Sequence, residues 1–147
     1  LVEYHLRARK IEVVREFDLI LPTIEADRQQ VRQILLNLLT NASDAMSQGG
    51  KLFTRVNSVH PENGVRGVKI EIADSGSGIS PADLKRIWEP FFTTKAESKG
   101  TGLGLAITRR AIEAHHGTIS IESQLTKGTT VTLFLPETND LKIELES

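Results

Sequence analysis

The sequence has no cysteine, which excludes disulfides, thiolate metal sites and a cysteine nucleophile. It has no excess of either charge. Its 18 basic and 19 acidic residues leave a formal net charge of −1, so no overall field draws the chain to nucleic acid or to an anionic membrane surface. No apolar run approaches the ~20 residues of a membrane span, and no signal-peptide pattern opens the chain. Internal repeats and low-complexity segments are also missing. The four histidines, His5, His60, His115 and His116, lack ligand spacing with a second histidine or a carboxylate. His115 and His116, adjacent on a predicted helix, point apart. No serine has a His/Asp pair to complete a hydrolase triad.

What remains is 147 residues, 39% apolar and 25% charged, the make-up of one ordinary soluble globular domain. The chain opens on Leu1 rather than Met, and the expectation is a piece cut from a longer protein. Residues 1–10 read as a charged lead-in, residues 11–136 as the domain, and residues 137–147 as a tail with one alternating piece, Leu141 to Leu145.

The stretch Gln33 to Met46, QILLNLLTNASDAM, organises the rest. Read as a helix, it places Gln33, Asn37, Asn41 and Asp44 within roughly 80° of one another, at about 100° per residue. Ile34, Leu35, Leu38, Leu39, Ala42, Ala45 and Met46 fill most of the remainder, as in a buried helix. The asparagines then line a cavity or meet a polar partner; an ordinary solvated stripe fits the same pattern. Asparagine offers an uncharged carbonyl oxygen, suited to a hydrated hard cation such as Mg²⁺. Asp27 stands at the N-cap position with Gln30 at capping-box spacing, and Gly49-Gly50 closes the helix.

Around this helix, Ile11 to Phe17 reads as a strand and Leu21 to Ala26 as a second short one, with Pro22 at its edge. Lys51 to Val59 and Val65 to Ala73 form a hairpin across His60 to Gly64. Ser80-Pro81 caps a short helix running to about Trp88. Gly100 to Gly104 leads into a helix that continues to His116, and Thr118 to Ser123 pairs with Thr129 to Leu135. Strands in pairs with helices between them predict an α+β two-layer sandwich, a mixed and largely antiparallel sheet covered by helices on one face. A doubly wound parallel sheet would need single alternating strands.

Three further stretches carry chemistry. Asp74-Ser75-Gly76-Ser77-Gly78-Ile79 follows a strand, and its glycines let a flat ligand approach the backbone. A carboxylate at that strand end could accept from an exocyclic amine such as that of adenine; a Gly-rich turn with an Asx cap is the alternative. Gly100-Thr101-Gly102-Leu103-Gly104-Leu105 precedes a helix and could offer backbone N–H groups to phosphate. It is neither a dinucleotide fingerprint nor a Walker A loop. Glu89 to Lys99 contains Phe91, Phe92, Lys95 and Lys99, and could close over a ligand or be a surface loop anchored by its phenylalanines.

In this order the motifs resemble those of the histidine-kinase ATP-binding domain. Asn37 to Ala45 is similar to its N box, Asp74-x-Gly-x-Gly78 to G1, Glu89-Pro90-Phe91-Phe92 to the F box and Gly100 to Leu105 to G2; Gly128-Thr129-Thr130 fits a late glycine and threonine. The resemblance covers about Ile11 to Pro136, and Phe-Phe-Thr-Thr-Lys is most like the nitrogen-regulatory and oxygen-sensing branch. It implies the Bergerat fold and a cytoplasmic domain that binds Mg-ATP or ADP. The γ-phosphoryl would pass to a histidine on a separate helical-hairpin dimerisation domain, and from there to a response regulator. No contact with nucleic acid or membrane is implied, and the piece alone would be monomeric. By the same resemblance Asn41 coordinates Mg²⁺, supported by Asn37, and Asp74 binds the adenine amine, with Gly76, Gly78 and Ile79 around it and Thr129 nearby. Gly100, Thr101, Gly102, Leu103, Gly104 and Leu105 would line the phosphates. Phe92, Lys95 and Lys99 would belong to a mobile lid. Asp44 departs from the pattern, since many of these kinases have a basic residue there. No phosphoacceptor context of the His-Glu-Leu-Arg kind is present, and His5 is not assigned that role. A serine kinase or hydrolysing ATPase of the same fold would carry Glu where Asn37 stands. A binding module that had lost catalysis would not need the glycines.

Overall fold

A computed structural model describes residues 2–62, 64–95, 102 and 104–138. The described elements run α1 (Val2–Ala8), β1 (Ile11–Phe17), α2 (Arg28–Ala45), β2 (Gly50–Val59), β3 (Gly67–Asp74), α3 (Pro81–Leu84), α4 (Gly104–Ala114), β4 (Thr118–Gln124) and β5 (Gly128–Pro136). The five strands form one sheet in the order β1-β2-β3-β5-β4. β1 and β2 are parallel, which requires a long crossover, and α2 lies within it. The other three pairings are antiparallel. This is the expected mixed, largely antiparallel sheet.

Period-2 alternation decides which sheet face is covered. Leu52 on β2, Ile72 on β3 and Val131, Leu133 and Leu135 on β5 are buried. They meet Ile34, Leu38 and Ala42, spaced by four along α2, and Ile112 on α4. The opposite face carries an ion-pair row: Arg55 meets Glu16 at 2.9 Å and Glu71 at 3.4 Å. Those three residues are cross-strand partners in register. Being exposed, such pairs stabilise little, but they keep that face polar.

α1 is the helix that the charged lead-in conceals: its Leu6 is buried in the same core as Ile11 and Ile34. Leu21 to Ala26 forms no strand. Its short apolar composition resembles one, but it pairs with no strand among the described residues, and the outer edge of β1 stays free. The helix after Ser80 is also shorter than expected. Ser80 Oγ accepts from the Asp83 N–H at 3.1 Å, and Pro81 occupies the first turn. Beyond Leu84 the bonds become Arg86 N–H to Asp83 O and Glu89 N–H to Arg86 O, which are i to i−3 turns leading into Pro90. Asp27 caps α2 as expected, accepting from Gln29 and Gln30 N–H. The reciprocal partner is not Gln30, however: the Asp27 N–H donates to His115 Nε2 at 3.1 Å. The tail piece Leu141 to Leu145 lies outside the described residues.

Candidate functional site

α2, the β3 end, the turn after it and the segment 92–95 enclose a cleft of about 720 Å³. One end is built on backbone. Asp74 ends β3 opposite Thr129 of β5. Its Oδ1 accepts from Gly76 N–H at 2.8 Å. Burial pushes the Asp74 carboxyl above the usual carboxylate range, and the N–H groups of Gly76 and Thr129 offset that only in part. No cation pairs with it among the described residues.

The turn after Asp74 is held on both sides. Ser77 N–H donates to Ala45 O at the end of α2 (3.1 Å), and Ser77 O accepts from Thr126 N–H of the β4–β5 hairpin (2.8 Å). Ile79 N–H donates to Ser123 Oγ at 2.8 Å. Gly78 has φ +71, and a Cβ there would run into the Gln124 carbonyl. Gly78 and Ile79 line the cleft. Gly76 does not; it packs beneath the turn against Ala45. Ile72, Ile121 and Val131 supply an apolar floor.

The other end is built on side chains. Asn37 Nδ2 donates to the buried Thr108 Oγ1 of α4 at 3.1 Å, and Gly104 lies directly against the same amide. One turn on, Asn41 Oδ1 accepts from Lys95 Nζ at 2.9 Å, and Asp44 Oδ2 accepts from it at 2.8 Å. Arg9, just after α1, donates to Asp44 Oδ1 at 2.7 Å and to Ser43 Oγ at 3.2 Å. Desolvation alone would raise the Asp44 carboxyl, but hydrogen bonds and charge from Lys95 and Arg9 outweigh it and hold it below the usual range. Asp44 therefore meets cations here.

Phe92 lines the cleft, its ring under the Arg86 guanidinium at 4.5 Å. Phe91 points out at φ +68, and its N–H donates to Gly102 O at 2.8 Å, tying the phenylalanine pair to the glycine motif. Gly102, Gly104 and Leu105 line the cleft; Lys99, Gly100, Thr101 and Leu103 lie outside the described residues. The structure thus gathers Asn37, Asn41, Asp44, Asp74, Gly78, Ile79, Phe92, Lys95, Gly102, Gly104, Leu105 and Thr129 around one cavity.

Sequence reasoning missed Arg9, Ser43, Thr108 and Ser123. Arg9 sits in a segment with weak periodicity. Thr108 could have been found as the residue one turn beyond Gly104 on the face that α4 turns inward.

An oxygen-only donor set with an ammonium already seated against Asn41 fits a hard cation, and asparagine adds no charge to repel phosphate. Among the described residues no group of three or more His, Cys, Asp or Glu converges, so such a cation would rely on few protein ligands. No helix is long and apolar enough to cross a membrane among the described residues.

Residues 26–139 match the family described as histidine kinase-, DNA gyrase B-, and HSP90-like ATPase. The chain is 45% identical over 136 residues to the sensor histidine kinase ZraS of Escherichia coli K12, covering 92% of this chain and 28% of that protein. It is 37% identical over 132 residues to sporulation kinase E of Bacillus subtilis, covering 88% of this chain and 17% of that one. Among solved structures, a nucleotide-free catalytic domain of histidine kinase ThkA superposes with a TM-score of 0.79 at 33% identity, over 94% of this chain and 86% of that one. Full-length ShkA in complex with AMPPNP gives 0.72 at 30% identity, over 92% of this chain and 28% of that one. The chain therefore spans under a third of the length of the curated relatives it matches.

Proposed function

Because this chain belongs to the histidine kinase-, DNA gyrase B-, and HSP90-like ATPase family, we propose that it is the ATP-binding catalytic domain of a sensor histidine kinase. It binds Mg-ATP and presents the γ-phosphoryl to a histidine on a separate helical-hairpin domain, for onward transfer to a response-regulator aspartate. The domain works in the cytoplasm, where ATP is, and is a monomer in isolation. The observation that carries the reading is Asp74, a desolvated carboxylate free of any cation in the described structure, at one end of a cleft whose other end holds Asn37, Asn41 and Lys95.

In this reading Asp74 accepts from the adenine amine, while Ile72, Ile121 and Val131 receive the ring. Asn37, fixed by Thr108, and Asn41 face the phosphates, and Gly102 and Gly104 let the chain approach them. Asn41 Oδ1 would hold Mg²⁺, which when bound neutralises phosphate charge. The chain's own contribution is to bind, orient and shield the nucleotide, so few of its side chains need to move protons. Asn37 cannot take a proton, which makes a hydroxyl- or water-activating enzyme of this fold the weaker reading.

Calorimetric titration with ADP, with and without Mg²⁺, tests this. ADP is expected to bind; Asp74→Asn is expected to lose affinity even without metal, and Asn41→Ala to lose chiefly the Mg²⁺ dependence. Incubated alone with ATP, the chain is expected not to phosphorylate itself. Absence of heat with either nucleotide at high concentration, or substantial autophosphorylation, would overturn the proposal.

A further inference from the structure

Asp44 stands where a basic, phosphate-facing residue would be expected, and the structure gives it a different partner. Asn41 and Asp44 are three apart on α2 and so share a face. Their oxygens converge on one point: Asn41 Oδ1 and Asp44 Oδ2 lie 2.9 and 2.8 Å from the same Lys95 nitrogen. Arg9 grips the other carboxylate oxygen at 2.7 Å and Ser43 Oγ at 3.2 Å, which keeps Oδ2 turned toward the cleft independently of Lys95.

An amide oxygen and a carboxylate oxygen aimed at one cation form a seat for a hard cation, and Mg²⁺ takes one or two such protein ligands together with phosphate and water. The present occupant can leave. Lysine is a single charge on a flexible stem, and the Lys95 side chain is 30% exposed. We infer that Asn41 and Asp44 together form an exchangeable cation seat, held by the Lys95 ammonium in this structure and taken by Mg²⁺ with nucleotide, which releases Lys95 toward the phosphates. This rests on the function proposed above. It adds Asp44 as a second oxygen of the seat and makes Lys95 the competitor for it.

The exchange makes two variants move in opposite directions. Removing the carboxylate charge from a partly exposed site should cut the Mg²⁺ enhancement of ADP affinity about tenfold, on the scale of one charge acting on a divalent ion through a water-like dielectric. Asp44→Asn should therefore lower the ratio of ADP affinities with and without Mg²⁺. Lys95→Met removes the competitor. Mn²⁺ binding to the chain alone, read from loss of the free-ion electron paramagnetic resonance signal, should strengthen about fivefold, as expected for losing one like charge nearby. Thermal melting of both variants controls for folding.

If Asp44→Asn lowers ADP affinity equally with and without Mg²⁺, or leaves the ratio unchanged, the carboxylate is only a structural ion-pair partner and the inference is overturned while the nucleotide-binding reading stands. Mn²⁺ affinity unchanged or weakened in Lys95→Met overturns it as well. Absence of ADP binding by the unaltered chain overturns both.

Discussion

Gly104→Ala should separate folding from nucleotide binding. Gly104 opens α4, and a Cβ there would sit 2.7 Å from Asn37 Oδ1 and 2.9 Å from Nδ2. Two terms oppose each other in the fold. Alanine for glycine in a helix gains up to about 1 kcal/mol, and less at a first turn. The intruding methyl must displace the Asn37 amide, which then loses its 3.1 Å bond to Thr108, at about 0.5–1.5 kcal/mol. The obstacle is the end of a side chain with two free torsions, so the amide yields and the backbone need not. The two terms nearly cancel, and the melting temperature should shift by no more than a few degrees, since about 1 kcal/mol corresponds to roughly 2–8 °C for domains of this size range. The cost falls on the site. With Asn37 turned away, Mg-ADP affinity should fall about tenfold, the equivalent of one charge-assisted hydrogen bond of about 1.4 kcal/mol. Gly102→Ala is the contrasting case. Gly102 has φ +71, and its Cβ would meet Phe91 Cα at 2.6 Å, so backbone rather than a side chain must move. There the Phe91 amide, bonded to Gly102 O, should exchange with solvent at least about tenfold faster. Unchanged Mg-ADP affinity in Gly104→Ala, or a melting point lowered by far more than a few degrees, would refute the reasoning, because either result means that the Asn37 amide is not the group displaced.

Asp74→Asn should weaken metal-free ADP binding by about 10- to 100-fold, the range for losing a charged acceptor, yet melt no lower than the parent chain at neutral pH. The Asp74 carboxyl is raised by burial, so its ionised form costs stability; that cost disappears as pH falls through its folded pKa toward the ordinary Asp value, and the melting gap between the two chains should close over that window. His115→Leu removes the acceptor of the Asp27 N–H; a loss of about 1 kcal/mol in chemical denaturation is expected, with faster exchange at that amide. Leu52→Ala empties a fully buried site in the sheet and should cost about 2–5 kcal/mol by denaturant titration without altering the ADP heat signature of the folded fraction.

Much of the sandwich was legible because its elements obey simple periods. Val131, Leu133 and Leu135 alternate, and Ile34, Leu38 and Ala42 recur every four residues. α1 was hidden because, among its described side chains, Leu6 alone is buried, too little for a period to show in a seven-residue helix. Leu21 to Ala26 misled because apolar and β-branched content signals strand only where a neighbouring strand can pair, and that neighbour is not a local property. At the site the cleft-lining residues on α2 were readable, since Asn37, Asn41 and Asp44 share a face by spacing alone. Their partners were not. Thr108 reaches Asn37 across 71 positions, Arg9 reaches Asp44 across 35, and Ser123 reaches Ile79 across 44. Sequence displays a group that must face a cavity, but not the distant group that aims it.

That contrast extends to the cleft itself. The Asp74 end is fixed by backbone: Gly76 and Thr129 N–H on the carboxylate, Ser77 bonded to both Ala45 and Thr126, and Ile79 to Ser123. Such a frame holds a carboxylate in place without neutralising it; burial raises its pKa, the N–H groups offset that only in part, and it remains available to a neutral donor. The Asn41 end is held by ion pairs of partly exposed side chains, Asp44 between Lys95 and Arg9. These cost little to rearrange in a water-like dielectric. A rigid end suits the part of a ligand that does not change during reaction, and a rearrangeable end suits the part whose charge does. The direction of the two carboxyl shifts, Asp74 upward without a counter-ion and Asp44 downward between two, follows from that division of labour.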